Sequence, residues 1–81
     1  MEVRIRLFAR ARDLARQDAI QLQVPPGATI GDLRWELAAV FPSLGAILPR
    51  CALAVNDEFA EDSAPLPPDA EIALLPPVSG G

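Results

Sequence analysis

The chain has 81 residues, of which 51% are hydrophobic, and it carries a formal net charge of −4 with no histidine and one cysteine. This content predicts one small folded domain and excludes a histidine-based catalytic triad, a Cys/His zinc site and a disulfide framework. The acidic balance argues against nucleic acid as the main partner, and no apolar run is long enough to cross a membrane.

The first half of the sequence predicts a β-hairpin. The segment "EVRIRLF" alternates, with Val3, Ile5 and Leu7 on one face, which is typical of a half-buried strand. The segment "AIQLQV" alternates in the same way, so the two runs are expected to pair. The charged stretch "ARARDLARQD" between them is read as a short connection with room for one helical turn.

A helix is predicted over residues 30 to 41. Thr29 is an expected N-cap because Asp32 follows three residues later, and Pro42 closes the helix. Trp35 lies away from the centre of the apolar stripe, so we expect it at the edge of the stripe or partly exposed. The stripe at helical spacing consists of Ile30, Leu33, Leu37, Val40 and Phe41.

The second half predicts three more strands, in "CALAV", "EFAE" and "EIALL". "PSLGAILPR" and "PLPPDA" read as loops, Asn56 and Asp57 as a turn, and Cys51 as a small buried thiol. One helix covering one sheet predicts a two-layer α+β fold in which the first and last strands pair in the middle. This is the ubiquitin-like β-grasp order, with a domain over residues 1–75 and a flexible, extended tail over residues 76–81.

The tail "PPVSGG" is suited to carry a reactive terminal carboxylate into a narrow slot. Pro76 and Pro77 donate no backbone hydrogen bond and stay extended, so they end the last strand, on which Leu75 points outward. Gly80 and Gly81 have no Cβ, so they fit a slot that is too narrow for other residues. The tail holds no ionisable side chain, which makes the terminal carboxylate its one reactive group.

The segments "RIRLFARARDLA", "AVNDEF" and "EIALLPPVSGG" resemble the small subunits of molybdopterin synthase, the MoaD family of sulfur carriers. The resemblance runs from end to end. It implies that an ATP-dependent adenylyltransferase similar to ubiquitin-activating enzymes adenylates Gly81, and that a sulfur donor protein then converts it to a thiocarboxylate. Gly80, Ser79 and Val78 would line the threaded tail after Pro76 and Pro77.

The resemblance also implies a non-catalytic role for this chain within an enzyme complex. The large subunit of molybdopterin synthase would supply the catalytic residues, and the tail would donate sulfur to cyclic pyranopterin monophosphate. A heterotetramer with two copies of each chain is expected, with no bound cofactor or metal. Phe8, Phe59 and Leu75 are predicted to form its apolar docking patch, although Phe8 and Phe59 could instead cap the small core.

Two alternatives stay open from the sequence. The chain could be another ubiquitin-like carrier or modifier, serving thiamine or tRNA thiolation or conjugating to lysines, or it could be a β-grasp interaction module with an inert tail. A cytoplasmic location is expected because the first residues lack the apolar core of a secretory signal.

Overall fold

A computed structural model describes residues 1–77. The strands are β1 (Glu2–Leu7), β2 (Ala19–Gln23), β3 (Ala52–Val55), β4 (Glu58–Ala60) and β5 (Glu71–Leu75). The α-helices are α1 (Ala9–Ala15) and α2 (Ile30–Val40), and two short 3₁₀ turns, Pro42–Leu44 and Leu48–Arg50, join α2 to β3. Of the predicted tail, Val78, Ser79, Gly80 and Gly81 lie outside the described residues.

The five strands form one mixed sheet in the order β2-β1-β5-β3-β4. β1 and β2 form the predicted antiparallel hairpin, and β1 pairs in parallel with β5 at the centre of the sheet. β5 also pairs antiparallel with β3, which in turn pairs with β4. The predicted β-grasp fold, with its first and last strands paired in the middle, is therefore confirmed.

The hydrophobic core lies between one face of the sheet and α2. The inward residues of the strands alternate as the sequence predicts, for example Ile72 and Leu74 on β5. From α2, the buried residues are Ile30, Leu33 and Leu37. Each of these helix residues is fully buried, so their apolar surface drives the packing of the helix onto the sheet.

The start of α2 is fixed by hydrogen bonds from two sources. The Thr29 hydroxyl accepts from the Asp32 N–H at 3.2 Å, and the Asp32 carboxylate accepts from the Thr29 N–H at 2.9 Å, which is the predicted capping box. The next two N–H groups of the helix donate to the carbonyls of Ala64 and Asp62, both at 2.9 Å. A Cβ on Gly31 would lie 3.2 Å from the Asp62 carbonyl oxygen, so glycine permits this close approach.

Arg34 ties α2 to the two segments beside it. Its Nη1 donates to the carbonyl oxygens of Leu48 and Cys51, and its Nη2 lies 2.9 Å from the Asp62 carboxylate. The Arg34 side chain is 20% exposed, whereas that of Asp62 is 60% exposed. The arginine therefore fixes the chain just before β3 and just after β4.

Three details differ from the predictions. The connection after β1 is a seven-residue helix, longer than the single turn expected, because Ala11 is buried and Leu14 packs beside it. The prediction that Val40 belongs to the buried stripe is wrong: Val40 is the last helical residue and is exposed, while Phe41 packs on the core. The predicted loop after α2 contains two 3₁₀ turns that bury one leucine each.

Candidate functional site

The outer face of the sheet, opposite the core, carries a line of apolar residues. Ala54 pairs directly with Phe59 on one side and with Ala73 on the other, so the three side chains share one face. Ala54 is only 6% exposed although it is outside the core cluster, which shows that its outward neighbours cover it. Leu75 lies two residues after Ala73 on the same face of β5. We call Phe8, Ala54, Phe59, Ala73 and Leu75 the outer sheet surface.

Phe59 is held at one end of this surface by a tight turn. Asn56 and Asp57 have φ values of 50° and 70°, as the two central residues of a type I′ hairpin require. The Asn56 side-chain oxygen accepts from the Glu71 N–H at 3.0 Å, and the Asn56 N–H donates to the Glu71 carbonyl at 2.9 Å. The β3–β4 hairpin is thus tied to the start of β5, while the ring of Phe59 is 77% exposed.

Phe8 lies at the other end, where β1 turns into α1. Its backbone is still extended, with φ −129° and ψ 153°, and its carbonyl accepts from the Ala11 N–H at 3.1 Å. The Arg6 guanidinium lies 5.6 Å from the centroid of the Phe8 ring, a cation–π contact. The ring itself is exposed, so of the two readings left open by the sequence, the structure places Phe8 and Phe59 at the surface.

Leu75 connects this surface to the tail. Leu7 pairs with Leu74 across the β1–β5 ladder, and Phe8 and Leu75 are the next residues on the two strands. Phe59 lies on β4, which does not pair with β5, because β3 lies between the two strands and Ala54 pairs with a residue of each. Pro76 and Pro77 follow Leu75 directly and are half-buried and exposed, respectively. The chain therefore leaves the sheet beside the apolar residues predicted to dock a partner.

Charge differs between the two flanks of the outer sheet surface. Beside Phe8, a groove of about 510 Å³ is lined by Arg4, Arg6 and Arg12 together with Asp18 and Glu71. The Arg12 Nε lies 3.8 Å from the Asp18 carboxylate, and both side chains are exposed. Beside Phe59 the exposed charged residues are acidic: Asp57, Glu58 and Glu61. A partner that covers this face therefore meets a basic edge and an acidic edge.

The described residues hold little catalytic chemistry of their own. Within residues 1–77, no group of three Cys, Asp or Glu side chains is placed to bind a metal ion. The one thiol, Cys51, is buried as predicted, and burial raises its pKa, although the nearby positive charge of Arg34 lowers it in part. A buried thiol with a raised pKa is a poor nucleophile. The outer sheet surface instead provides an apolar area on which a partner could dock, next to the start of the tail.

Sequence reasoning missed Ala54 and Ala73 as parts of this surface, and Arg6 as its neighbour. Both alanines lie between larger apolar residues and fill the space between Phe59 and Leu75. Each alanine is next in sequence to a buried leucine, Leu53 or Leu74, and so points to the opposite face of the sheet. That alternation was the available signal, but alanine by itself favours neither face. Arg6 shares the outer row with Ala73.

Comparison with known proteins finds relatives along the whole chain. Residues 5–81 match the model of the ThiS family. The chain is 40% identical over 81 residues to the molybdopterin synthase sulfur carrier subunit of Arabidopsis thaliana, covering 100% of this chain and 84% of that protein. Its fold is similar to that of SAMP1 from Haloferax volcanii, with a TM-score of 0.87, 27% identity and full coverage of both chains. It is also similar to a chain in the complex of subunits 1 and 2 of molybdopterin-converting factor from Helicobacter pylori, with a TM-score of 0.71, 29% identity and full coverage of both.

Proposed function

This chain belongs to the ThiS family, and we propose that it is the sulfur-carrier subunit of a molybdopterin synthase, acting in molybdenum cofactor biosynthesis. The observation that carries the proposal is the 40% identity over the full chain to a protein of that name. The arrangement of β5 supports it, because the central strand carries Leu75 and then the two prolines into the tail.

The reacting group in this proposal is the carboxylate of Gly81. An oxygen of that carboxylate attacks the α-phosphorus of ATP in an activating enzyme, and pyrophosphate leaves, giving an acyl-adenylate. A persulfide on a donor protein then attacks the acyl carbon and displaces AMP, and a thiol cleaves the resulting acyl disulfide, which leaves a thiocarboxylate on Gly81 and a disulfide between the thiol and the donor. In the synthase the sulfur passes to cyclic pyranopterin monophosphate, and water restores the carboxylate.

The described residues contribute to this chemistry by positioning the tail. Val78 to Gly81, if fully extended, reach about 13 Å beyond Pro77. The chemistry therefore takes place close to the outer sheet surface, and a partner that binds this surface also receives the tail. The two prolines limit the conformations available to the start of the tail, which lowers the entropy lost when it threads into a slot.

A large subunit is the partner that this proposal requires. The chain resembles one component of a complex between subunits 1 and 2 of molybdopterin-converting factor, which supports such a partner. The finer expectation is a heterotetramer in which the outer sheet surface and the tail both contact the large subunit. The activating enzyme and the sulfur donor are further proposed partners, and we place all of these steps in the cytoplasm.

The test is a reconstituted reaction with the activating enzyme, ATP, a sulfur source and the large subunit. Mass spectrometry should show a gain of about 16 Da on the carrier, the difference between sulfur and oxygen, if the terminal carboxylate is activated for nucleophilic attack. A variant without Gly81 should melt like the parent chain but form no molybdopterin. Molybdopterin formation by that variant would refute the assignment of Gly81.

A second function is favoured by the similarity to SAMP1, which is also named as small archaeal modifier protein 1. In a modifier, the activated glycine forms an isopeptide bond with a lysine of another protein. Trypsin last cleaves this chain after Arg50, so mass spectrometry of tryptic peptides from cells would detect residues 51–81 as a branch on such lysines. Adducts that depend on Gly81 would establish this activity, whether or not the chain also carries sulfur.

A further inference from the structure

A second exposed surface lies on α2, on the other side of the molecule from the outer sheet surface. Trp35 is 79% exposed, although tryptophan is on average a well-buried residue. The buried residues of the same helix, Ile30, Leu33 and Leu37, point toward the sheet, so Trp35 points away from it. Ala38 and Ala39 lie beside Trp35, and together these three residues form what we call the Trp35 surface.

Hollows flank the indole on both sides. One, of about 380 Å³, lies between Trp35 and the turn that begins at Pro25 and Pro26, with Asp32 and Glu36 in its wall. The other, of about 290 Å³, lies between Trp35 and Pro49. Proline and alanine residues line both hollows, and the Arg34–Asp62 pair also lines the second one. An incoming side chain therefore meets apolar groups beside the indole.

The charge at this surface is negative. Asp32 and Glu36 are one helical turn apart and lie on the same side of Trp35. The neighbouring cation, Arg34, lines the second hollow, where it is paired with the Asp62 carboxylate and donates to the carbonyls of Leu48 and Cys51. The Arg34–Asp62 pair has no net charge, so the surface stays negative. An aromatic face next to two carboxylates is suited to a guanidinium or ammonium group, which gains cation–π and ionic attraction together.

We propose that the Trp35 surface binds a basic segment of a partner protein, with an arginine or lysine side chain stacked on Trp35 beside Glu36. Charge complementarity selects this occupant over a second copy of the chain. A symmetric dimer through this surface would bring the Asp32 and Glu36 carboxylates of both copies together, which is repulsive. Since the sheet and the helix have their exposed faces on opposite sides, this partner binds while the outer sheet surface is also occupied.

The test uses Trp35 itself, because it is the one tryptophan of the chain and the chain has no tyrosine. The emission of Trp35 is titrated with an acetylated, amidated tetra-arginine peptide, and with a tetra-glutamate peptide as the matched control. We expect a saturable spectral change with the arginine peptide alone. Glu36→Gln should weaken the binding about two- to five-fold, the range expected for one exposed ion pair.

Glu58→Gln is the control variant, because Glu58 is an exposed carboxylate on β4, next to Phe59. It should leave the affinity unchanged, whereas Trp35→Ala should abolish binding measured by calorimetry while the circular dichroism spectrum is retained. The proposal is wrong if the tetra-arginine peptide gives no saturable change, or if Glu36→Gln and Glu58→Gln weaken binding equally. Self-association through Trp35, detected by sedimentation and lost in Trp35→Ala, would also overturn it.

Discussion

Replacement of Arg34 by alanine should be among the most destabilising changes at a residue that is not fully buried. The arginine donates to the carbonyl oxygens of Leu48 and Cys51, the latter at 2.8 Å, and its side chain is mostly buried. A hydrogen bond from a charged donor contributes about 1.5–3 kcal/mol. Because one nitrogen serves both carbonyls, the two bonds do not add fully, and we expect Arg34→Ala to lower the free energy of unfolding by about 2–4 kcal/mol.

The ion pair with Asp62 should contribute much less. The Asp62 side chain is 60% exposed, and exposed ion pairs contribute about 0.2–1 kcal/mol. Asp62→Asn therefore separates the two effects, because it removes the negative charge and leaves both carbonyl contacts of Arg34. Arg34→Lys should fall between the two variants, since a lysine keeps the charge but lacks the planar fork.

Urea unfolding followed by far-ultraviolet circular dichroism measures these differences. Fluorescence is the poorer probe, because Trp35 is already exposed in the folded chain. If Asp62→Asn were as costly as Arg34→Ala, the ion pair would be the main contribution and the reasoning from the two carbonyls would be wrong. A loss below about 0.5 kcal/mol for Arg34→Ala, the range usual for surface substitutions, would refute it as well.

Three further outcomes are expected. Leu37→Ala removes a fully buried side chain and should lower the free energy of unfolding by about 2–5 kcal/mol; an unchanged melting curve would count against the placement of α2. Leu75→Glu should weaken binding to the large subunit in calorimetry without unfolding the chain, whereas Val40→Glu, at an exposed position on α2, should not; equal affinities for both variants would show that the outer sheet surface is wrongly placed. Burial raises the pKa of the Cys51 thiol in the folded chain, so the unfolded chain loses this proton first as the pH rises. The stabilisation from the neutral thiol is complete below the unfolded pKa and is lost as the pH rises through the folded one. Above about pH 8.5, the usual pKa of an unfolded cysteine, the free energy of unfolding should therefore fall more steeply for the parent chain than for Cys51→Ala; an equal fall in the two chains would contradict this.

The regular part of the fold is predictable from the sequence because it depends on local patterns. The period-two alternation in β1, β2 and β5 identifies their buried faces, and the Thr29–Asp32 capping box marks the start of α2. Leu44 and Leu48 were not predicted as core residues. They lie in short 3₁₀ turns, which lack the length to show a period, and their burial depends on contacts with the distant helix and sheet.

The candidate site was predictable only in part. Large apolar residues at outward positions of strands, such as Phe59 and Leu75, stand out because a solvent-facing position normally carries a polar side chain. The order of the strands then decides which of them become neighbours. That Ala54 and Ala73 join Phe59 to Leu75 depends on β3 lying between β4 and β5, a long-range pairing that a local pattern does not record.

The parallel pairing of β1 with β5 also has a mechanical consequence. A force that pulls on the tail, away from the domain, acts along β5, which is bonded to β1 on one side and to β3 on the other. The strand cannot be peeled off one bond at a time in this direction, because both ladders run along its length and are loaded in shear together. A partner that grips or withdraws the tail therefore pulls on both ladders at once, and both resist the detachment of β5 from the sheet.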